Sequence, residues 1–104
     1  MEKELTYQGF EHLYDESETT QVRFIGFLSD HVRYDFGIVY SNQFFGKPLV
    51  ICMQTGRAVL LCSEEARDPA HIQRIFRIED FSEADKLASF FEKNLPVMPL
   101  EAQY

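Results

Sequence analysis

Residues 21–62 read QVRFIGFLSDHVRYDFGIVYSNQFFGKPLVICMQTGRAVLLC, from Gln21 to Cys62. Apolar side chains occupy both alternation phases of this stretch, the pattern of sheet strands with two apolar faces. From Gln21 to Leu28, one face carries Val22, Phe24, Gly26 and Leu28, and the other carries Arg23, Ile25 and Phe27. The next strand runs from Val32 to Tyr40, with Tyr34, Phe36 and Ile38 opposed to Arg33, Asp35, Gly37 and Val39. Ser29, Asp30 and His31 are turn-forming, and with Asp30-His31 as a two-residue loop Phe27 pairs with Tyr34 and Ile25 with Phe36. The hairpin therefore has an aromatic and aliphatic face and a mixed face, where Phe24 and Leu28 stand beside Arg33 and Asp35. That mixed face is the first candidate surface for a partner or ligand.

Further along, Ser41 to Lys47 reads as a loop, and Pro48 opens a strand from Leu49 to Gln54. Thr55-Gly56 then links to a strand from Arg57 to Cys62, a register that sets Cys52 opposite Val59 and Cys62 opposite Leu49. The two thiols then point to opposite faces and cannot bond to each other. Upstream, Phe10, His12 and Tyr14 alternate with Glu11, Leu13 and Asp15, suggesting a first strand, and residues 15–20 form an acidic turn.

After Cys62 the period changes from two to helical. Asp68 is a good N-cap and Pro69 suits the first helical position, with Ile72, Ile75 and Phe76 at helical spacing. Ser82 is read as the cap of a longer helix, with Asp85 in the capping-box position. Leu87, Phe90, Phe91 and Leu95 form its stripe, while Glu83, Lys86, Ser89 and Lys93 lie mostly away from it, and Pro96 stops it. Short links between strands favour an antiparallel meander. The fold expected is α+β: a strongly bent antiparallel five-stranded meander, curling toward a partly closed barrel or covered on one side, followed by two C-terminal helices. Residues 1–104 form a single domain in this reading, with 1–8 and 97–104 as loosely attached termini; the apolar tail from Val97 docks on its own domain, the favoured case, or on another chain.

Composition narrows the function classes. A chain of 104 residues with ten Phe and 45% hydrophobic residues can bury a core without a disulfide or metal staple. The net charge of −7 disfavours nucleic acid and anionic membrane surfaces, whose affinity comes mainly from Lys and Arg. No apolar run approaches the ~20 residues of a membrane helix. The opening Met1-Glu2-Lys3-Glu4 lacks the apolar core of a signal peptide, so a cytosolic location is expected. Cys52 and Cys62 sit in apolar runs and read as buried free thiols.

No catalytic residue set, metal site or cofactor signature emerges. His12, His31 and His71 form no helical metal pair. Gly46-Lys47 lacks the earlier glycine of a phosphate loop, and Pro48 stands where a hydroxyl residue is required. Six residues remain as ligand or partner candidates. Phe44 and Phe45 are adjacent aromatics in a polar loop with Lys47, a contact anchor unless both rings wrap over the core edge. Arg33 and Asp35 share a strand face, as a structural ion pair or as the seat of a ligand carboxylate. His31 flanks them in the turn, and a pocket built on all three requires their side chains to converge.

The residues Tyr14-Asp15, Val22-Arg23-Phe24-Ile25-Gly26-Phe27, Arg33-Tyr34-Asp35 and Phe45-Gly46-Lys47 together resemble a family of small uncharacterised cytosolic proteins of Gram-positive bacteria, classed as a domain of unknown function. The resemblance covers most of the chain and implies a bacterial housekeeping or regulatory setting; it assigns no activity to any residue. The function expected is a non-catalytic interaction or regulatory binding module, with a protein partner or self-association as a homodimer through an edge strand or the Phe44–Phe45 surface. The alternative is a small-molecule-binding domain or small enzyme around Arg33, Asp35 and His31.

Overall fold

The alternation read from the sequence is the scaffold of the molecule. A computed structural model describes residues 6–7 and 9–98. In chain order the strands are β1 (Thr6–Tyr7), β2 (Phe10–Glu11), β3 (Val22–Ser29), β4 (Val32–Val39), β5 (Leu49–Cys52) and β6 (Ala58–Leu60). Strands β3 to β6 form an open antiparallel sheet in sequential order. Phe27 faces Tyr34 and Ile25 faces Phe36, the pairing that a two-residue loop at Asp30-His31 dictates. Asp30 takes a left-handed φ of 52° at that turn.

Two details of the strands depart from the sequence reading. The meander has four strands, because β2 leaves the sheet and pairs with β1 instead, around Gly9 at φ 88°. The acidic stretch that follows finds donors beyond the end of β4: Glu18 accepts from Ser41 Oγ (2.7 Å) and the Asn42 N–H (2.8 Å), and Glu16 accepts from Gln43 (2.9 Å). The second departure is the loop between β5 and β6. It spans Met53 to Gly56, so Cys52 bonds Arg57 O at 2.8 Å, and Val50 rather than Cys52 faces Val59. A shift of two residues leaves every side chain on its face. Cys52 and Cys62 are both buried and unpaired.

Three helices follow: α1 (Ser63–Ala66), α2 (Pro69–Phe76) and α3 (Phe81–Asn94). Helix α1 is one turn that the sequence pattern did not mark. It is pinned to the end of α3, since Ser63 Oγ donates to Glu92 O at 2.7 Å and the Ser63 N–H to Pro96 O at 2.9 Å. Asp68 caps α2 through the Ala70 N–H at 3.0 Å, with Pro69 at the first helical position. For α3 the cap is Asp80, not Ser82: its Oδ1 accepts from the Ser82 N–H at 2.8 Å and the Glu83 N–H at 3.3 Å. The helix therefore begins one residue before Ser82.

The helices lie on one side of the sheet. Phe36, Ile38, Val50 and Cys52 from the strands join Ile72, Phe76, Ala84, Leu87, Ala88 and Phe91 in one buried cluster. Phe36 is its centre, with ring centroids 5.3 Å from Phe76 and 5.1 Å from Phe91, both edge-on. Burying each such ring contributes about 1.5–3 kcal/mol. The architecture is a two-layer α+β domain with an open sheet. The terminal expectations for residues 1–8 and for the tail beyond Met98 fall outside the described residues, apart from Thr6 and Tyr7; Val97 is exposed.

Candidate functional site

Because β3 and β4 alternate strictly, every side chain that avoids the helices points to the opposite side of the sheet. No described element covers that outer face. Phe24 and Leu28 are each 76% exposed there, joined by Val22 and Met53. Phe24 lies across the neighbouring strand: a Cβ on Gly37 would stand 3.4 Å from its Cε1 and 3.0 Å from Met53 Cε. Glycine at position 37 is therefore what lets the two apolar side chains meet over the sheet. Gly26 lies low between Phe24 and Leu28, with the Asp35 carboxylate reaching over it: a Cβ there would stand 2.9 Å from Asp35 Oδ1. One hollow of about 330 Å³ is lined by Gly26, Phe27, Leu28 and Arg33, and another of about 320 Å³ includes Phe24, Gly26, Asp35 and Met53.

Arg33 and Asp35 meet on this face. Arg33 Nε and Nη2 donate to the two carboxylate oxygens of Asp35 at 2.9 and 3.2 Å. Gln54 completes the cluster, donating to Asp35 Oδ2 at 2.9 Å and accepting from the Asp35 N–H at 2.8 Å. Arg33 first and Gln54 second hold the Asp35 carboxyl below its ordinary value, and Asp35 raises Arg33 in turn. A ligand carboxylate would have to displace Asp35 from Arg33. His31 is exposed in the hairpin turn and lines none of the hollows described.

The Phe44–Lys47 loop is built differently. Phe44 and Phe45 adopt left-handed φ values of 57° and 62°, followed by Gly46 at 78°. Both rings stay exposed, at 51% and 80%, so neither closes the core edge. Lys47 reaches back to α1, donating to Glu65 Oε2 at 2.7 Å. The pair fixes the loop against the helices and leaves Lys47 engaged.

A further cavity, which the sequence did not single out, lies between the tip of the β3–β4 hairpin and α3. It measures about 290 Å³ and is lined in part by Phe27, Asp30, Tyr34, Glu83, Lys86 and Leu87. Tyr34 donates its hydroxyl to Glu83 Oε1 at 2.5 Å, and Lys86 Nζ donates to Ser29 Oγ at 3.2 Å. Burial first, then the bond to Glu83, push the Tyr34 phenol well above its ordinary value, so it stays a donor. Glu83 itself is buried, against the expectation that it faces away from the stripe. Its charge argues for the outside, but it stands four residues before Leu87 and seven before Phe90, and the Tyr34 hydroxyl satisfies it. Among the described residues no group of His, Cys, Asp and Glu is arranged to hold a metal, and no helix is long and apolar enough to cross a membrane.

These features define a small two-layer α+β domain with one face of its sheet packed and the other covered by none of the described residues. Residues 13–93 match the model of the SAV0927-like family, and the chain belongs to that uncharacterised family. A comparison with curated proteins gives no match.

Proposed function

We propose that this protein is a non-catalytic interaction module of the Gram-positive bacterial cytosol, and that the outer face of its sheet is the contact surface. The observation that carries the reading is the set of exposed apolar side chains Val22, Phe24, Leu28 and Met53 on one sheet face, which no described element covers. Exposed apolar patches are uncommon on monomeric proteins beyond a few hundred Å² and mark contact sites. The net charge of −7 leaves nucleic acid and anionic membrane as poor partners and a protein as the favoured one.

Capture from a bacterial lysate, read by mass spectrometry, separates this face from the aromatic loop. Retained protein is expected to disappear with Phe24→Asp and to persist when Phe44 and Phe45 are both replaced by Ala. The opposite pattern would move the contact to the loop and overturn the reading.

The cavity beneath Tyr34 supports a second reading, a small-molecule site. Its size sits at the lower end of ligand pockets, and Glu83 and Lys86 offer opposite charges beside the apolar Phe27 and Leu87. A zwitterion with an apolar body fits that chemistry. Phenylalanine is the probe: it would raise the melting temperature of the wild type and leave Glu83→Gln unmoved.

A further inference from the structure

We infer that the occupant of the outer face is a second copy of this chain, packed sheet against sheet about a two-fold axis beside Ile25. The inference rests on the interaction reading above and names its partner.

Three observations point to a second copy. The first is relief. On β3 the outer face reads Val22, Phe24, Gly26, Leu28, with Phe24 and Leu28 as knobs and Gly26 as the low point between them, edged by the Asp35 carboxylate, whose Oδ1 would stand 2.9 Å from a Cβ there. Antiparallel stacking of β3 on β3 with the axis at Ile25 sets Phe24 over the second copy's Gly26 and Val22 over the second copy's Leu28. Two-fold symmetry repeats both contacts, as an isologous interface requires. Every outer residue of β3 then meets an apolar or glycine partner. Moving the axis one residue toward the turn, to Gly26, would bring Gly26 onto Gly26 and leave the hollows empty. Moving it two residues, to Phe27, would set Phe24 against Asp30.

The second observation is charge. From the pairing register, the outer face also carries Arg33, Asp35, Gly37 and Val39 of β4, Leu49 and Ile51 of β5, and Ala58 and Leu60 of β6. Arg33 and Asp35 are the charged members, and they cancel. The excess of seven acids lies off this face, so two acidic copies meet there without local repulsion. The third is size. The four exposed apolar side chains present on the order of 500 Å² per copy, the upper end for a monomer's largest patch. A standard stable complex takes roughly 800 Å² per partner, so the contact also takes in the Arg33–Asp35–Gln54 cluster beside these side chains. A small molecule is the poorer occupant, since the hollows at Gly26 open to solvent and ligand sites bury most of their ligand.

Light scattering on size-exclusion fractions at roughly 100 μM protein tests the inference, because standard-size interfaces give micromolar or tighter constants. The wild type is expected to run as a dimer. Phe24→Asp and Leu28→Asp should each weaken it roughly 100-fold or more, since each change enters the interface twice. Val22→Asp, which faces the second copy's Leu28, should do the same. Leu13→Asp, equally exposed but outside the sheet, should leave the dimer intact. Circular dichroism of each variant checks that the fold is kept.

A wild-type monomer at this concentration overturns the inference, as does a dimer indifferent to Phe24→Asp, Leu28→Asp and Val22→Asp. If a monomeric wild type still captures a different protein in a Phe24-dependent way, the dimer fails while the interaction reading stands. If neither assay depends on Phe24, both fail.

Discussion

Arg77 shows how much local conformation is decided by one backbone angle. It ends α2 in the left-handed region, φ 59° and ψ 50°, with its N–H donating to Gln73 O and its side chain exposed. A Cβ in that region is crowded by the neighbouring carbonyl, and glycine is not. Arg77→Gly is therefore expected to stabilise the fold by about 1 kcal/mol, less the extra freedom glycine gives the unfolded chain. In a urea titration the midpoint should rise with an unchanged slope; a fall would mean that the arginine side chain matters more than its backbone. At the same scale Glu18 gives a pH effect. Its bonds to Ser41 Oγ, then to the Asn42 N–H, hold its carboxyl below the ordinary value of 4.5. These bonds are fully in place above about pH 4.5 and are lost as pH falls through the lower folded value. Amide exchange at Asn42, corrected for its intrinsic pH dependence, should lose protection below that window. Glu18→Gln should abolish the pH dependence.

Among the elements, α3 offers the cleanest contrast between rival caps. Asp80→Ala should cost about 1 kcal/mol, because two first-turn N–H groups lose their acceptor. Ser82→Ala should cost less than about 0.5 kcal/mol, since it leaves those bonds intact. Chemical denaturation of the two variants decides it, and the reverse order would restore Ser82 as the cap. The choice was hard to make from sequence because Asp80 and Ser82 are both good capping residues two positions apart. Only the preceding chain, turning at Arg77 and Ile78, sets where the helix can begin. Strand register was legible where a short turn fixed it, as at Asp30-His31. It slipped by two at Thr55-Gly56, where the chain makes a four-residue loop and the Gly56 N–H bonds Cys52 O at 2.8 Å. Alternation also separates the packed face from the outer one, and it places Phe24, Leu28, Arg33 and Asp35 together on the sequence alone. The Tyr34–Glu83 contact joins residues 49 positions apart, and no local pattern reports a pairing of that kind.

For the whole molecule, the question is whether sheet and helices unfold as one unit. Phe36 ties them together. Its ring meets Phe27 and Tyr34 within the sheet layer, Phe76 of α2 and Phe91 of α3, with centroids between 5.1 and 6.4 Å. The sheet can lend only one face to this core, because the other carries the exposed apolar side chains, so few other side chains share that role. Phe36→Ala should cost about 3–5 kcal/mol, combining lost transfer energy with the cavity left behind. Against a total stability of roughly 5–15 kcal/mol for a domain of this kind, that loss leaves little margin. Phe36→Leu, which keeps most of the volume, should cost much less. Helix content followed by far-ultraviolet circular dichroism and the amide signals of β3 and β4 followed by NMR should fall together in urea for the wild type and both variants. If the helical signal of Phe36→Ala were lost well before the strand amide signals, the two layers would be separable. Phe36 would then be an anchor for the helices rather than the centre of one core.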